Sequence, residues 1–172
     1  MALVDLFKFQ KTEDKTVFSS LHHRVKKYFS DSSERDIVIA TCVAGLCARV
    51  AYVDLDITKE EIEKLKSILS NWTRLPEKSI NSICNMAVEE MNELSGLENH
   101  LYSTPLNDVL DKREKIELLV ALFALSASDG SVSNMESEEI RLIAKSLCLN
   151  DQYFNAARST VAQKLAALQN NK

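Results

Sequence analysis

Glycine and proline are scarce in this chain, with 3 and 2 among 172 residues. Sheets joined by tight turns draw on both residue types, so their scarcity argues against a strand-rich protein and, with 45% hydrophobic residues, for helices. The expected fold class is all-α. A chain of this length is one domain, or one domain with an appendage, and it is long enough to bury a real core. An excess of positive charge is also missing: the formal charge is -4 at pH 7 and the pI is near 5.5, so no global basic field draws nucleic acid. The 4 cysteines, Cys42, Cys47, Cys84 and Cys148, form no Cys-x-x-Cys pair and read as small core hydrophobes. With no secretory leader opening the chain, a reduced cytoplasmic compartment is expected. Signatures of catalysis are lacking as well. There is no Gly-x-Ser-x-Gly, P-loop, Gly-x-Gly-x-x-Gly or His-Glu-x-x-His, and His22, His23 and His100 have no acid or thiol partner nearby in sequence. The chain therefore reads as non-catalytic.

The longest hydrophobic run is Ile37 to Val53. It is short for a membrane span, which needs about 20 apolar residues, and it carries Thr41 and Arg49, so it reads as the central helix of a bundle. Ala40, Ala44 and Ala48, with Gly45 beside them, strip one face of that helix for close approach. Ala121, Ala124 and Ser128 on the helix from about Lys112 to Ser128 offer a similar ridge as the partner.

What the chain does possess is an acidic turn written twice. Ala51-Tyr-Val-Asp54-Leu-Asp56-Ile57-Thr58-Lys-Glu-Glu61 returns, seventy-five residues on, as Ser126-Ala-Ser-Asp129-Gly130-Ser-Val132-Ser133-Asn-Met-Glu136. Each copy follows an apolar helix and opens a new one with a Ser/Thr-x-x-Glu capping box. The new helices place Ile62, Leu65, Ile68 and Leu69, or Ile140, Ile143, Ala144 and Leu147, inward. A third helix follows each, starting at Leu75-Pro76 or Leu149-Asn150. The expected architecture is a single-domain bundle of two similar helix–acidic turn–helix repeats over residues 31–172. Between the repeats, a short helix around Leu101, Tyr102 and Leu106 is expected to break before Pro105.

Ahead of the bundle, residues 1–30 read as an N-terminal appendage. Residues 2–9 can form a short amphipathic helix. In the stretch that follows, Phe18, Leu21, Val25 and Phe29 oppose His22, His23, Arg24, Lys26 and Lys27. That basic face either docks its apolar stripe and meets water, or lets residues 1–29 touch an anionic membrane peripherally.

The acidic turns are the candidate site. Asp54, Asp56 and Glu61, with Asp129 and Glu136, offer hard carboxylate oxygens of the kind that suit Ca²⁺, Mg²⁺ or Mn²⁺. Capping explains Glu61 and Glu136. It leaves Asp54 and Asp129 unexplained, because a negative charge at a helix C-terminus opposes the macrodipole. Hydrogen bonds from the amides that open the next helix, or a cation, would offset the placement. The turn is not an EF-hand, since Asp54-x-Asp56-x-Thr58 lacks the Gly and Glu that such a loop needs.

Val50-Ala51-x-x-Asp54-x-x-Ile57-Thr58-x-x-Glu61, with Ala124-Leu125-Ser126-x-Ser128-Asp129-Gly130-x-Val132-Ser133-x-x-Glu136, resembles the TerB-like (tellurite-resistance protein B) superfamily over residues 33 to 165. The resemblance implies a compact all-α bundle, found mainly in bacteria, in which Asp54, Glu61, Asp129 and Glu136 are the metal-holding positions. Relatives act in chemical-stress or tellurite-resistance systems, and a similar domain occurs in a membrane-anchored DnaJ-like co-chaperone. The chain departs from the family pattern where Leu55 replaces a Gly and where Ser126 and Ser128 replace alanines. A left-handed Leu55 would be strained, so the first turn is expected to differ in geometry from the second. The sequence thus reads as a non-catalytic module binding a divalent cation or a basic protein partner. The alternative is a membrane-peripheral adaptor, lying at the inner membrane, that uses its N-terminal segment.

Overall fold

Helices account for the regular structure, and no strand occurs among the described residues of the computed structural model, which are 21–27, 29, 31–55, 57–93 and 100–169. The segment 2–9, Phe18 and Asp56 lie outside them. The chain runs through a short helical stretch at 21–27 (α1), then α2 (Glu34–Ala51), α3 (Lys59–Trp72), α4 (Glu77–Glu93), α5 (His100–Val109) and α6 (Lys112–Ser126). A 3₁₀ turn at Ala127–Asp129 leads to α7 (Asn134–Ser146) and α8 (Asp151–Gln169).

The apolar run becomes the buried axis. Ser33 caps α2 by accepting from the Asp36 N–H, and nearly every residue from Ile37 to Ala51 is shielded from water. Helices α3, α4, α5, α6 and α7 all pack against α2. Shared among five neighbours, such a helix must be apolar all round. No helix among the described residues is long and apolar enough to cross a membrane.

Beside the stripped face of α2, close approach is made at Gly45 by a helix that was not expected there. A Cβ on Gly45 would lie 2.4 Å from the Tyr102 ring, so the space beside this glycine is filled by a fully buried aromatic of α5. Helix α6 also meets α2, but its buried residues are the large Leu118, Leu119, Leu122, Phe123 and Leu125. Ala121 and Ala124 are only half-buried, and Ala124 and Ser128 face a groove instead. A notch accommodates a ring more fully than a second row of small residues, which would leave contacts unmade.

Two local expectations are also corrected. Helix α5 continues through Pro105, because Leu101, Tyr102 and Leu106 bury completely or nearly so, and that burial outweighs the lost N–H donor. Cys148 is exposed while Cys42, Cys47 and Cys84 are buried. It takes a left-handed φ of 60° after α7, where the Leu149 N–H reaches the Ala144 carbonyl (2.9 Å) and its own N–H reaches Lys145 (3.0 Å). That hydrogen-bond pattern is a Schellman ending, with buried Leu149 as its apolar contact.

The basic stretch uses its apolar stripe internally. Leu21 and Val25 are fully buried, Arg24 reaches Glu89 (2.8 Å) and Glu90 (3.2 Å) at the end of α4, and His23, Lys26 and Lys27 are exposed.

Candidate acidic site at the two turns

The first turn forms where α2 stops. The Tyr52 N–H still reaches back to Ala48 and Val50, and the Leu55 N–H then donates to the Tyr52 carbonyl (2.9 Å). The second turn repeats these bonds residue for residue. The Ala127 N–H reaches Phe123 and Leu125, and the Gly130 N–H donates to the Ala127 carbonyl (3.0 Å). Leu55 is left-handed at φ 70°, as is Gly130 at φ 104°. The expectation that Leu55 would push the first turn into another geometry is therefore overturned. The chain must reverse between a helix end and a capped helix start within a few residues, and that closure imposes the left-handed residue whatever the side chain is.

Both capping boxes are formed. Glu61 Oε2 accepts from the Thr58 N–H (2.8 Å) and the Thr58 hydroxyl (2.9 Å), while the Thr58 Oγ accepts from the Glu61 N–H (3.2 Å). Glu136 Oε2 accepts from the Ser133 N–H (2.8 Å), and the Ser133 Oγ accepts from the Glu136 N–H (3.1 Å). A third box, Asp111 with Glu114, opens α6. Its Asp-x-x-Glu spacing was readable in the sequence and was missed.

The unexplained aspartates resolve unequally. Asp129 Oδ1 accepts the Ser131 N–H at 3.0 Å, an Asx-type bond from the loop rather than from the amides opening α7. Asp54 is exposed on the first turn.

Helix α3 packs against the 3₁₀ turn Ala127–Asp129, which brings the two acidic segments to one end of the bundle. Glu61 registers this. Its carboxyl is pushed above the usual carboxylate range, first by burial and then by the negative charges of Glu136 and Asp54, against the lowering effect of the Thr58 hydrogen bonds. Three of the predicted carboxylates, Glu61, Glu136 and Asp54, thus share a field. Among the described residues, no group of three or more His, Cys, Asp or Glu side chains is arranged to hold a metal ion.

The buried thiols are poor nucleophiles. Burial pushes Cys84 up to about 12 and raises Cys42 and Cys47 as well. The sequence reading also missed the partner of Arg49. Its Nε donates to Glu139 at 2.6 Å, joining the helix that leads into the first turn with the helix that leaves the second. A lone arginine inside an apolar run was the available signal, because a charge there requires an acid from elsewhere.

The fold and its turns define an all-helical bundle whose distinguishing polar feature is a pair of capped acidic turns at one end. The sequence model of the family described as tellurite resistance protein TerB matches residues 39–159, more than half of the chain. The chain belongs to the TerB family. No curated protein and no solved structure matches it.

Proposed function

We propose that this chain is a non-catalytic TerB-family module whose acidic end binds a positively charged group, and that the group is a lysine- or arginine-rich segment of a protein partner. The single observation that carries the reading is the setting of Glu61, whose carboxyl is raised first by burial and then by the negative charges of Glu136 and Asp54 gathered at the same end. A cation placed there relieves that repulsion and gains charge-assisted hydrogen bonds. Glu61 and Glu136 each commit Oε2 to a capping box, which fixes both carboxylates while Oε1 takes no part in the box. A preorganised acceptor pair of this kind binds at low entropic cost. The family's description, tellurite resistance, makes a bacterial cytoplasmic stress response the proposed setting.

A divalent cation is the second reading, favoured by a donor set made only of carboxylate oxygens, which suits Ca²⁺, Mg²⁺ or Mn²⁺. Calorimetric titration separates the two. An oligolysine peptide should give heat that disappears in Glu61→Gln/Glu136→Gln, a variant that keeps the capping acceptors. Heat from Ca²⁺, Mg²⁺ or Mn²⁺ alone would transfer the site to the second reading, and silence with every titrant would end both.

A further inference from the structure

Over its described residues, 21–27, α1 makes only about two turns, and a stretch of that length is held by docking rather than by its own hydrogen bonds. Leu21 and Val25, one turn apart, supply the apolar contact and are fully buried. Arg24 ties one edge to Glu89 and Glu90 of α4, where the Glu90 side chain is 3% exposed. His22 stands at the same interface. Its side chain is half-buried and its Nε2 is shut off from water, so the ring can become charged there only by displacing what covers it. The charges around the ring come from two elements. On α1, Lys26 lies one turn on at i+4 and His23 lies beside it, while Glu34, which opens α2, is the opposing acid. Burial, and then Lys26, hold His22 below the ordinary histidine value, and Glu34 recovers only part of the difference. The acids on α4, Glu89 and Glu90, are engaged by Arg24.

We propose that α1 is a pH-sensitive strap, docked on the bundle while the His22 imidazole is neutral and released when the ring takes up a proton. The released helix binds that proton at the ordinary histidine value and the docked helix binds it more weakly. Docking is therefore fully supported above the ordinary value and weakens as pH falls from there through the docked one. Arg24 sets the threshold. Its departure leaves the carboxylate of Glu90 buried without the guanidinium, which keeps the strap closed at neutral pH. Release bares Leu21 and Val25 beside Arg24, Lys26 and Lys27, an apolar and basic face that the docked helix keeps partly covered. The inference goes beyond the acidic-end reading, because it concerns α1 and the start of α2, while the first acidic turn lies past the far end of that helix.

Hydrogen exchange of the full chain, read by mass spectrometry and corrected for the intrinsic rate, tests it. Between about pH 7.5 and about pH 5.5 the protection of amides 21–27 should fall several-fold, while that of α6, α7 and α8 holds. His22→Leu, which cannot take a proton, should keep the strap protected at both values. Lys26→Gln removes the neighbouring positive charge and should shrink the response, and His23→Gln, at an exposed position, should leave it intact. Protection of 21–27 that is equal at the two pH values, a response that survives in His22→Leu, or one that disappears in His23→Gln would overturn the proposal.

Discussion

The first and second acidic turns share their hydrogen bonds but not their left-handed residue. The second uses Gly130, where a Cβ would meet nothing within 4 Å, and the first uses Leu55, whose side chain is 72% exposed. An exposed leucine gains little from burial, so nothing in its own contacts offsets the left-handed conformation, which costs about 1–2 kcal/mol for a residue with a Cβ. The helix closure and the capping box that follow impose the conformation. The two turns are one backbone solution, held with more strain in the first copy than in the second.

The largest effect on this pair should come from the ion pair that joins the two halves. In Arg49→Met, Glu139 keeps a side chain only 11% exposed and loses the guanidinium at 2.6 Å, so urea unfolding should show a loss of about 2–3 kcal/mol. Adding Glu139→Leu should recover much of it. The caps come next. Thr58→Ala removes both the acceptor for the Glu61 N–H and a donor to a buried carboxylate, and should cost about 1–2 kcal/mol. Ser133→Ala on the exposed second turn should cost about 1 kcal/mol or less. Equal losses would show that the buried Glu61 gains nothing extra from its box.

The left-handed position should respond with opposite signs. Leu55→Gly should stabilise by up to about 1 kcal/mol, and Gly130→Ala should destabilise by about the same amount, both read from denaturation midpoints. The smallest effect concerns pH. Glu61 binds its proton more tightly folded than unfolded, so its contribution to stability is full below the ordinary carboxylate range and is lost as pH rises through its folded value. Glu61→Gln should flatten the stability profile in the window just above the ordinary carboxylate range, while Glu136→Gln leaves the remaining slope in place.

These contrasts also separate what the sequence could reveal from what it could not. The Thr58–Glu61 and Ser133–Glu136 boxes and the Asn150 cap, whose side chain accepts from the Gln152 and Tyr153 amides, depend on spacings of two or three residues and were readable. So was the helical class, which composition and apolar periodicity already demand. Arg49 with Glu139, Gly45 with Tyr102 and the groove between α3 and α8 join residues far apart in the chain, and no local pattern specifies which face meets which. Pro105 and Cys148 were misread for a related reason. The burial of α5 and the closure of α7 override what each residue prefers alone. At the candidate site, the convergence of Glu61, Glu136 and Asp54 follows from α3 lying on the second turn, a tertiary event that the duplicated residues hint at but do not dictate.

The Tyr102 ring, standing where a side chain of Gly45 would be, has a consequence for hydrogen exchange. Helices α4 and α5 cover α2 more extensively than its other neighbours do, and the ring lies against the backbone at the middle of α2. The amides there stay shielded while α5 holds its place against α2. Opening of the connector helix and exposure of the central helix are then a single event, and their amides should exchange together, at a free energy close to that of global unfolding.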